Sequence, residues 1–354
     1  MSKIVTIVGA RPQFVKAAVV SKALNNAGIA ETIIHTGQHY DYNMSSIFWD
    51  ELGIPAPEKN LEVGSGNHGT QTGFMMQKLE EYILSSKTPP RALMVYGDTN
   101  STLAGSLVAA KLNIPVIHVE AGLRSHNREM PEEINRVVTD HVSNLLFCSS
   151  EESIKELNRE GITEGVHVVG DVMHDALLTF SEKAEEMFTL RDIIPGVHGE
   201  FVLATIHRPS NTDQAENLKA ILQAFGEIEK TIVWPVHPRN KATITNLDIP
   251  DNLVLTDPVS YFKMMILLGN CSLVITDSGG LQKEAYWMKK RCITVRNETE
   301  WVETLSGGWN TLTGADTSKI LAAVVKDPET NWKPLYGDGK AANQITKIIK
   351  EELF

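Results

Sequence analysis

The chain is poor in several features, and each shortage narrows what it can be. Of its 354 residues only Cys148, Cys271 and Cys292 are cysteines, and no Cys-x-x-Cys pair occurs. A disulfide framework is not expected. Each cysteine lies in or beside an apolar run and reads as a small, reduced core residue. No His-Glu-x-x-His occurs, so no metal is expected. No apolar run approaches the ~20 residues that a membrane helix needs. Met1-Ser2-Lys3 runs straight into an apolar strand without a leader pattern. The expectation is a cytoplasmic protein with no membrane partner. Positive charge is also scarce, with 33 Lys and Arg against 44 Asp and Glu and a net charge of −11. That balance argues against a nucleic-acid surface. The one Gly-x-Gly-x-x-Gly, residues 64–69, falls in the Gly-, Ser-, Asn- and Thr-rich run 61–73, which reads as a mobile loop. With no convincing strand before it and no helix opening on it, it is a chance match, and no nicotinamide or other cofactor is expected.

What is present is a repeated alternation of strand and helix. The run 4–8 is continuous and apolar, as a strand buried on both faces would be, and further strands are read at 32–36, 91–96 and 115–119. A second series follows at 201–206, 231–236, 253–256 and 273–276. The length suits two α/β domains better than one core. The boundary is placed near 170–195, giving an N-terminal Rossmann-like domain over 1–170 and a C-terminal one over 171–339. The last helix, 340–354, is expected to pack back on the first domain.

In open α/β sheets, ligands bind outside the C-terminal ends of the strands, so the residues there are the candidates. Arg11 and Lys16 put two cations beside the first helix start, which suits an anion. Asp98 follows Gly97 at a strand end, where it either caps the next helix or acts on a ligand. The stretch 118–147 opens as a strand ending in Glu120 and continues through a loop with Arg124, His126, Arg128 and Glu129. Pro131 then starts a helix. Ile134, Val137, Val138, Val142, Leu145 and Leu146 fall at helical spacing as its core face. Glu132 and Arg136, four apart, form either a solvated ion pair or part of a site at the helix N-terminus. His118, inside a strand, reads as a satisfied core histidine. In the second half, His207 follows the strand 201–206. The run Asp277-Ser278-Gly279-Gly280 ends another strand at a helix start. That geometry puts several free N–H groups on one spot and suits phosphate, or else serves only to turn the chain. Glu284 lies one turn into that helix, where it suits a sugar hydroxyl.

Together these blocks resemble the non-hydrolysing UDP-N-acetylglucosamine 2-epimerases: GARPQFVK (9–16), TGQHYDYNMS (36–45), GDTNST (97–102), HVEAGLRS (118–125), MPEEINR (130–136), IHR (206–208), VHP (236–238) and TDSGGLQKEA (276–285). They keep the family's order over almost the whole chain. The resemblance implies a glycosyltransferase-B fold, two Rossmann-like α/β domains facing a cleft, and a homodimer acting on a UDP-sugar. It implies catalytic roles for Asp98, Glu120, Glu132 and His207. Arg11, Lys16 and Arg136 would surround the substrate, Ser278, Gly279 and Gly280 would hold the diphosphate, and Glu284 the ribose. The reaction it implies is loss of UDP from C1 with removal of the C2 proton, then re-addition through a 2-acetamidoglucal, in surface-polysaccharide synthesis. Each direction needs a base on one face of C2 and an acid on the other, hence at least two carboxylates.

The chain departs from the family's pattern in places. Arg11-Pro12-Gln13 stands where many relatives have Arg-Pro-Glu. Gln38-His39-Tyr40-Asp41 stands where allosterically activated bacterial members have Gln-His-Arg, so the resemblance does not carry an activating second UDP-sugar over to this chain. Gln13 and the run Thr299-Glu300-Trp301-Val302-Glu303 also resemble enzymes that epimerise UDP-2,3-diacetamido-2,3-dideoxyglucuronic acid. That substrate would need an added cation, which Arg124, Arg128 or Arg208 is available to supply. A UDP-sugar glycosyltransferase of the same fold is the alternative from another class.

Overall fold

The computed structural model describes residues 3–38, 52–236, 240, 244 and 247–354. The chain divides into two compact units, Met1–Ala176 with Tyr336–Phe354, and Leu177–Leu335.

The first unit runs β1 (Ile4–Val8), α1 (Arg11–Asn26), β2 (Glu31–His35), β3 (Lys59–Asn60), α2 (His68–Ser85), β4 (Ala92–Tyr96), α3 (Asn100–Lys111), β5 (Val116–Ala121), α4 (Pro131–Val142), β6 (Leu145–Cys148), α5 (Glu151–Arg159) and β7 (Val166–Val168), and α6 (Val172–Met187) begins in it. Its strands form one sheet in the order β3-β2-β1-β4-β5-β6-β7, and every pairing is parallel. Strands β1, β4, β5 and β6 are buried at every position, which is why they read as unbroken apolar runs rather than alternating ones.

The second unit holds α7 (Leu190–Ile193), β8 (Phe201–Thr205), α8 (Pro209–Thr212), α9 (Ala215–Glu227), β9 (Thr231–Pro235), β10 (Leu253–Thr256), α10 (Tyr261–Asn270), β11 (Leu273–Thr276), α11 (Gly279–Trp287), β12 (Arg291–Thr294), a short 3₁₀ segment (Val302–Gly308), β13 (Asn310–Leu312) and α12 (Thr317–Val325). Its sheet order is β10-β9-β8-β11-β12-β13, again parallel throughout. The chain then returns to the first unit as α13 (Ala341–Leu353). That helix buries Ala341, Ala342, Ile345, Thr346 and Ile349 and packs on α1. Its first turn is held by Asp175, which accepts from Ala341 N at 3.0 Å and Ala342 N at 2.8 Å. Burial pushes the Asp175 carboxyl up to about 6.

Three expectations are corrected here. A helix does open within the glycine-rich run, because α2 starts at His68. Gln71 Nε2 donates to Gly64 O at 2.7 Å and ties that run to the helix. Second, the helix begun by Pro131 ends at Val142, and Leu145 and Leu146 belong to β6. Third, the buried face of α4 is Glu133, Asn135, Arg136, Thr139 and Asp140, while Ile134 is 40% exposed. The apolar spacing misled because these polar side chains find partners, Glu133 and Arg136 in each other and Asn135, Thr139 and Asp140 in Asp98, Ser106, His118 and Arg124, and paired groups can be buried where lone ones cannot. The three cysteines are free and buried.

Candidate functional site

The ends of β4 and β5 carry the most constrained backbone around the candidate acids. Gly97 (φ +63°) turns the chain after β4 and Gly122 (φ +79°) after β5. Between them, Glu120 itself sits at φ +72°, where the pairing of β5 with β6 shifts register. A non-glycine residue in the left-handed region at a bulge is uncommon and is held there by its surroundings. The Glu120 carboxylate pairs with Lys16 Nζ, both side chains being buried. A β-carbon added at Gly97 would lie 3.4 Å from Glu120 Oε2 and 3.5 Å from Lys16 Nζ, so the pair rests directly over that glycine.

Asp98, the next residue, is not a helix cap: Thr99 caps α3. Instead Asp98 Oδ2 accepts from Arg136 Nε at 3.0 Å and from its terminal nitrogen at 2.5 Å. Asn135 Nδ2 donates to the Asp98 carbonyl at 2.9 Å. The other guanidinium nitrogen of Arg136 reaches Glu133 Oε2 at 2.9 Å. Glu133, and not Glu132, is therefore the acid that pairs with Arg136. Glu133 also accepts from the amides of Ser125 and His126, both at 2.9 Å, and so closes the loop ahead of α4. Burial alone would raise its pKa, yet these amides and Arg136 hold it below the usual carboxylate range. Glu132 is exposed on the first turn of α4. The first unit thus brings Lys16, Asp98, Glu120 and Arg136 together around one glycine turn. Arg11 opens α1, and its side chain lies outside the described residues.

Gln13 explains the departure from Arg-Pro-Glu. Its Oε1 accepts from Gly9 N (2.8 Å) and Ala10 N (3.0 Å), and its Nε2 donates to Tyr96 O (2.8 Å) and to Thr99 and Thr102 Oγ1 (each 3.0 Å). One amide joins the turn after β1 to the turn after β4.

In the second unit the organiser is Asp277, fully buried after β11. It accepts from His207 N (3.0 Å), Arg208 N (2.9 Å) and Asn211 Nδ2 (3.0 Å) and so shapes the loop after β8. His207 Nδ1 lies 3.2 Å from Asp277 Oδ1, and the side chain is 45% exposed. Ser278 spends its hydroxyl capping α11, accepting from Leu281 N at 3.5 Å. The two glycines differ in kind. A β-carbon at Gly279 would lie 2.5 Å from Glu300 Oε1, whereas one at Gly280 would meet nothing within 4 Å. Gly279 is demanded by packing, and Gly280 leaves open space at the helix start. Glu284 is buried one turn on.

Arg124 is withdrawn as a cation for a sugar carboxylate. It is buried, with Nε 2.7 Å from Glu160 Oε1 and a terminal nitrogen 2.7 Å from Asp140 Oδ2. The turn at 237–239 and residues 39–51 lie outside the described residues. Sequence reasoning missed Glu133, Asp140 and the roles of Gln13 and Asp277. The Glu132-Glu133 doublet carried no signal to tell its two acids apart. Among the described residues no group of three or more His, Cys, Asp or Glu is placed to hold a metal, and no helix is long and apolar enough to cross a membrane.

Two parallel-sheet α/β units, with carboxylates at the strand ends of one and a Ser-Gly-Gly helix start in the other, have the glycosyltransferase-B fold. The family model "UDP-N-acetylglucosamine 2-epimerase" matches residues 22–350, and the chain belongs to that family. It is 49% identical to a UDP-N-acetylglucosamine 2-epimerase homolog of Methanococcus maripaludis, over 98% of this chain and 99% of that one. It is 45% identical, over 98% and 99%, to the UDP-2,3-diacetamido-2,3-dideoxy-D-glucuronate 2-epimerase of Pseudomonas aeruginosa. The crystal structure of the Methanocaldococcus jannaschii UDP-GlcNAc 2-epimerase with UDP-GlcNAc and UDP aligns with a TM-score of 0.90 at 41% identity, covering 99% of each chain.

Proposed function

We propose that the chain inverts C2 of a UDP-2-acetamido sugar, UDP-N-acetylglucosamine to UDP-N-acetylmannosamine, without net hydrolysis. The observation that carries this reading is the pair of carboxylates at adjacent strand ends. Glu120 rests over Gly97 beside Lys16, and Asp98 is held by Arg136 on one oxygen only. A C2 proton removed on one face and returned on the other needs two such groups. In this reading Asp98, Glu120 and Glu132 supply the acid and base. Arg11, Lys16 and Arg136 surround the substrate. His207 takes a catalytic role, binding the phosphates or supplying a proton, while Ser278, Gly279 and Gly280 hold the diphosphate, with open space at Gly280, and Glu284 holds the ribose. The family resemblance extends the reading to a cytoplasmic homodimer that feeds surface-polysaccharide synthesis.

A second substrate, UDP-2,3-diacetamido-2,3-dideoxyglucuronic acid, is favoured by the 45% identity to the Pseudomonas aeruginosa enzyme. The test is proton NMR of each UDP-sugar with the purified chain in D₂O. Deuterium should enter C2 of both epimers as they equilibrate, for one of the two sugars. Epimers that keep the original C2 proton would sink the mechanism, and a new glycosidic linkage would point to a transferase.

A further inference from the structure

Behind the two strand ends lies a buried polar group that the proposed chemistry does not use. His118 is fully buried on β5, two residues ahead of Glu120. Its Nδ1 is 2.6 Å from Asp140 Oδ1 and its Nε2 is 2.8 Å from the carbonyl oxygen of Gly97. Asp140 Oδ2 accepts from Gly122 N at 3.1 Å and from Arg124 at 2.7 Å. One ring and one carboxylate therefore tie together both glycine turns that flank Asp98 and Glu120.

The proton count follows from which atoms face each other. A carbonyl oxygen can only accept. Asp140 Oδ2 already accepts from a backbone amide and from Arg124, a fixed cation, so the carboxyl is ionised and both of its oxygens also accept. A neutral imidazole has a single N–H and would aim its remaining lone pair at one of these oxygens in a dry site. The charges agree. Around the ring stand Asp140 from α4, Arg124 from the loop after β5, Glu160 behind Arg124, and Cys148 from β6. Burial pushes the Cys148 thiol up, so it adds no charge. With two ring hydrogens, His118 and Arg124 face Asp140 and the partly exposed Glu160, which also lies 3.6 Å from His141.

Resting on the reading of Asp98 and Glu120 as an acid–base pair, we infer that His118 is a buried imidazolium donating from both ring nitrogens. It is a positioning residue that braces the Gly97 turn against the Asp140–Gly122 turn and so sets the spacing of Asp98 and Glu120. It touches no substrate.

Two variants separate its two bonds. His118→Asn keeps an amide donor at the Nδ1 position toward Asp140 and releases Gly97. His118→Gln keeps a donor near the Nε2 position toward Gly97. With ring-¹⁵N-histidine enzyme at neutral pH, where free imidazole is mostly neutral, the spectrum should show one ring with two protonated nitrogens. Those signals should be missing from both variants. His118→Asn should lose about tenfold or more in kcat with KM little changed, the pattern of misplaced acid and base, and His118→Gln should recover part of it. A single protonated ring nitrogen on His118 would overturn the inference, as would wild-type kcat in both variants. If the variants do not fold, the wild-type spectrum alone decides. Wild-type enzyme that turns over neither UDP-sugar would overturn the reading above, and the ¹⁵N result would still decide this one.

Discussion

The strand ends of the two units solve the same problem of burying polar groups in different ways. In the first unit the groups are ionised side chains in opposite-charge pairs, Lys16 with Glu120 and Asp98 with Arg136, and Arg136 in turn holds Glu133. At the end of β11 in the second, neutral donors meet one carboxylate, although the stretch after β12 holds a buried charge pair of its own, Arg296 with Glu300. Asp277 is satisfied by two backbone amides and Asn211, and the hydroxyls of Thr205 and Thr276 pair with each other at 2.5 Å. Pairs of titratable groups near a strained backbone suit proton movement. A rigid set of N–H groups with open space at Gly280 suits holding an anion. On the proposed reading, one fold is tuned to two tasks by the side chains at its strand ends.

The largest expected effect breaks the first half of that contrast. Asp98→Asn and Glu120→Gln should each lower turnover by ~10²-fold or more, the usual scale for a positioned acid or base. Each replacement is nearly isosteric, so circular dichroism should be unchanged. Near-normal rates in both would leave the charge pairs as structure only.

A smaller effect asks whether charge is tolerated in the first unit without a cation. Gln13→Glu would place a carboxylate oxygen against Tyr96 O in a buried site whose hydrogen-bond partners include no cation. The loss of one donor with the acceptor left buried should cost about 1–3 kcal/mol, read as a lower denaturant midpoint. An unchanged midpoint would mean that the turn relaxes around the acid.

The smallest effect sharpens the second half. Gly280→Ala should stabilise the fold slightly, by about 0.5–1 kcal/mol, because a helical glycine is replaced and its β-carbon meets nothing. The same change should weaken UDP binding in calorimetry, since the methyl group enters the space left for the anion. Gly279→Ala should instead destabilise, by displacing Glu300 from its buried pair with Arg296. Equal behaviour of the two variants would remove the distinction between a packing glycine and a binding one.

Much of this protein is determined locally. The two parallel sheets follow from unbroken apolar runs, because a strand buried on both faces has no position where a polar residue is free of cost. The placing of Asp98, Glu120, His207 and Ser278 at strand ends follows from the same runs, since each lies within two residues of the point where the strand segment stops. Partner choice was not legible. Lys16 meets Glu120 across 104 residues and Arg136 meets Asp98 across 38, and nothing in the spacing along the chain encodes either distance. Glu132 and Glu133 are chemically identical neighbours. Only the rotation of α4 against the β4 turn decides that Glu133 is buried on Arg136 while Glu132 faces water. The same packing turned a helix of apparent hydrophobic spacing to bury its polar side. Arg136 of that helix could neutralise Asp98, 38 residues away, and Asp140 could neutralise Arg124, and that complementarity exists only once the chain is folded.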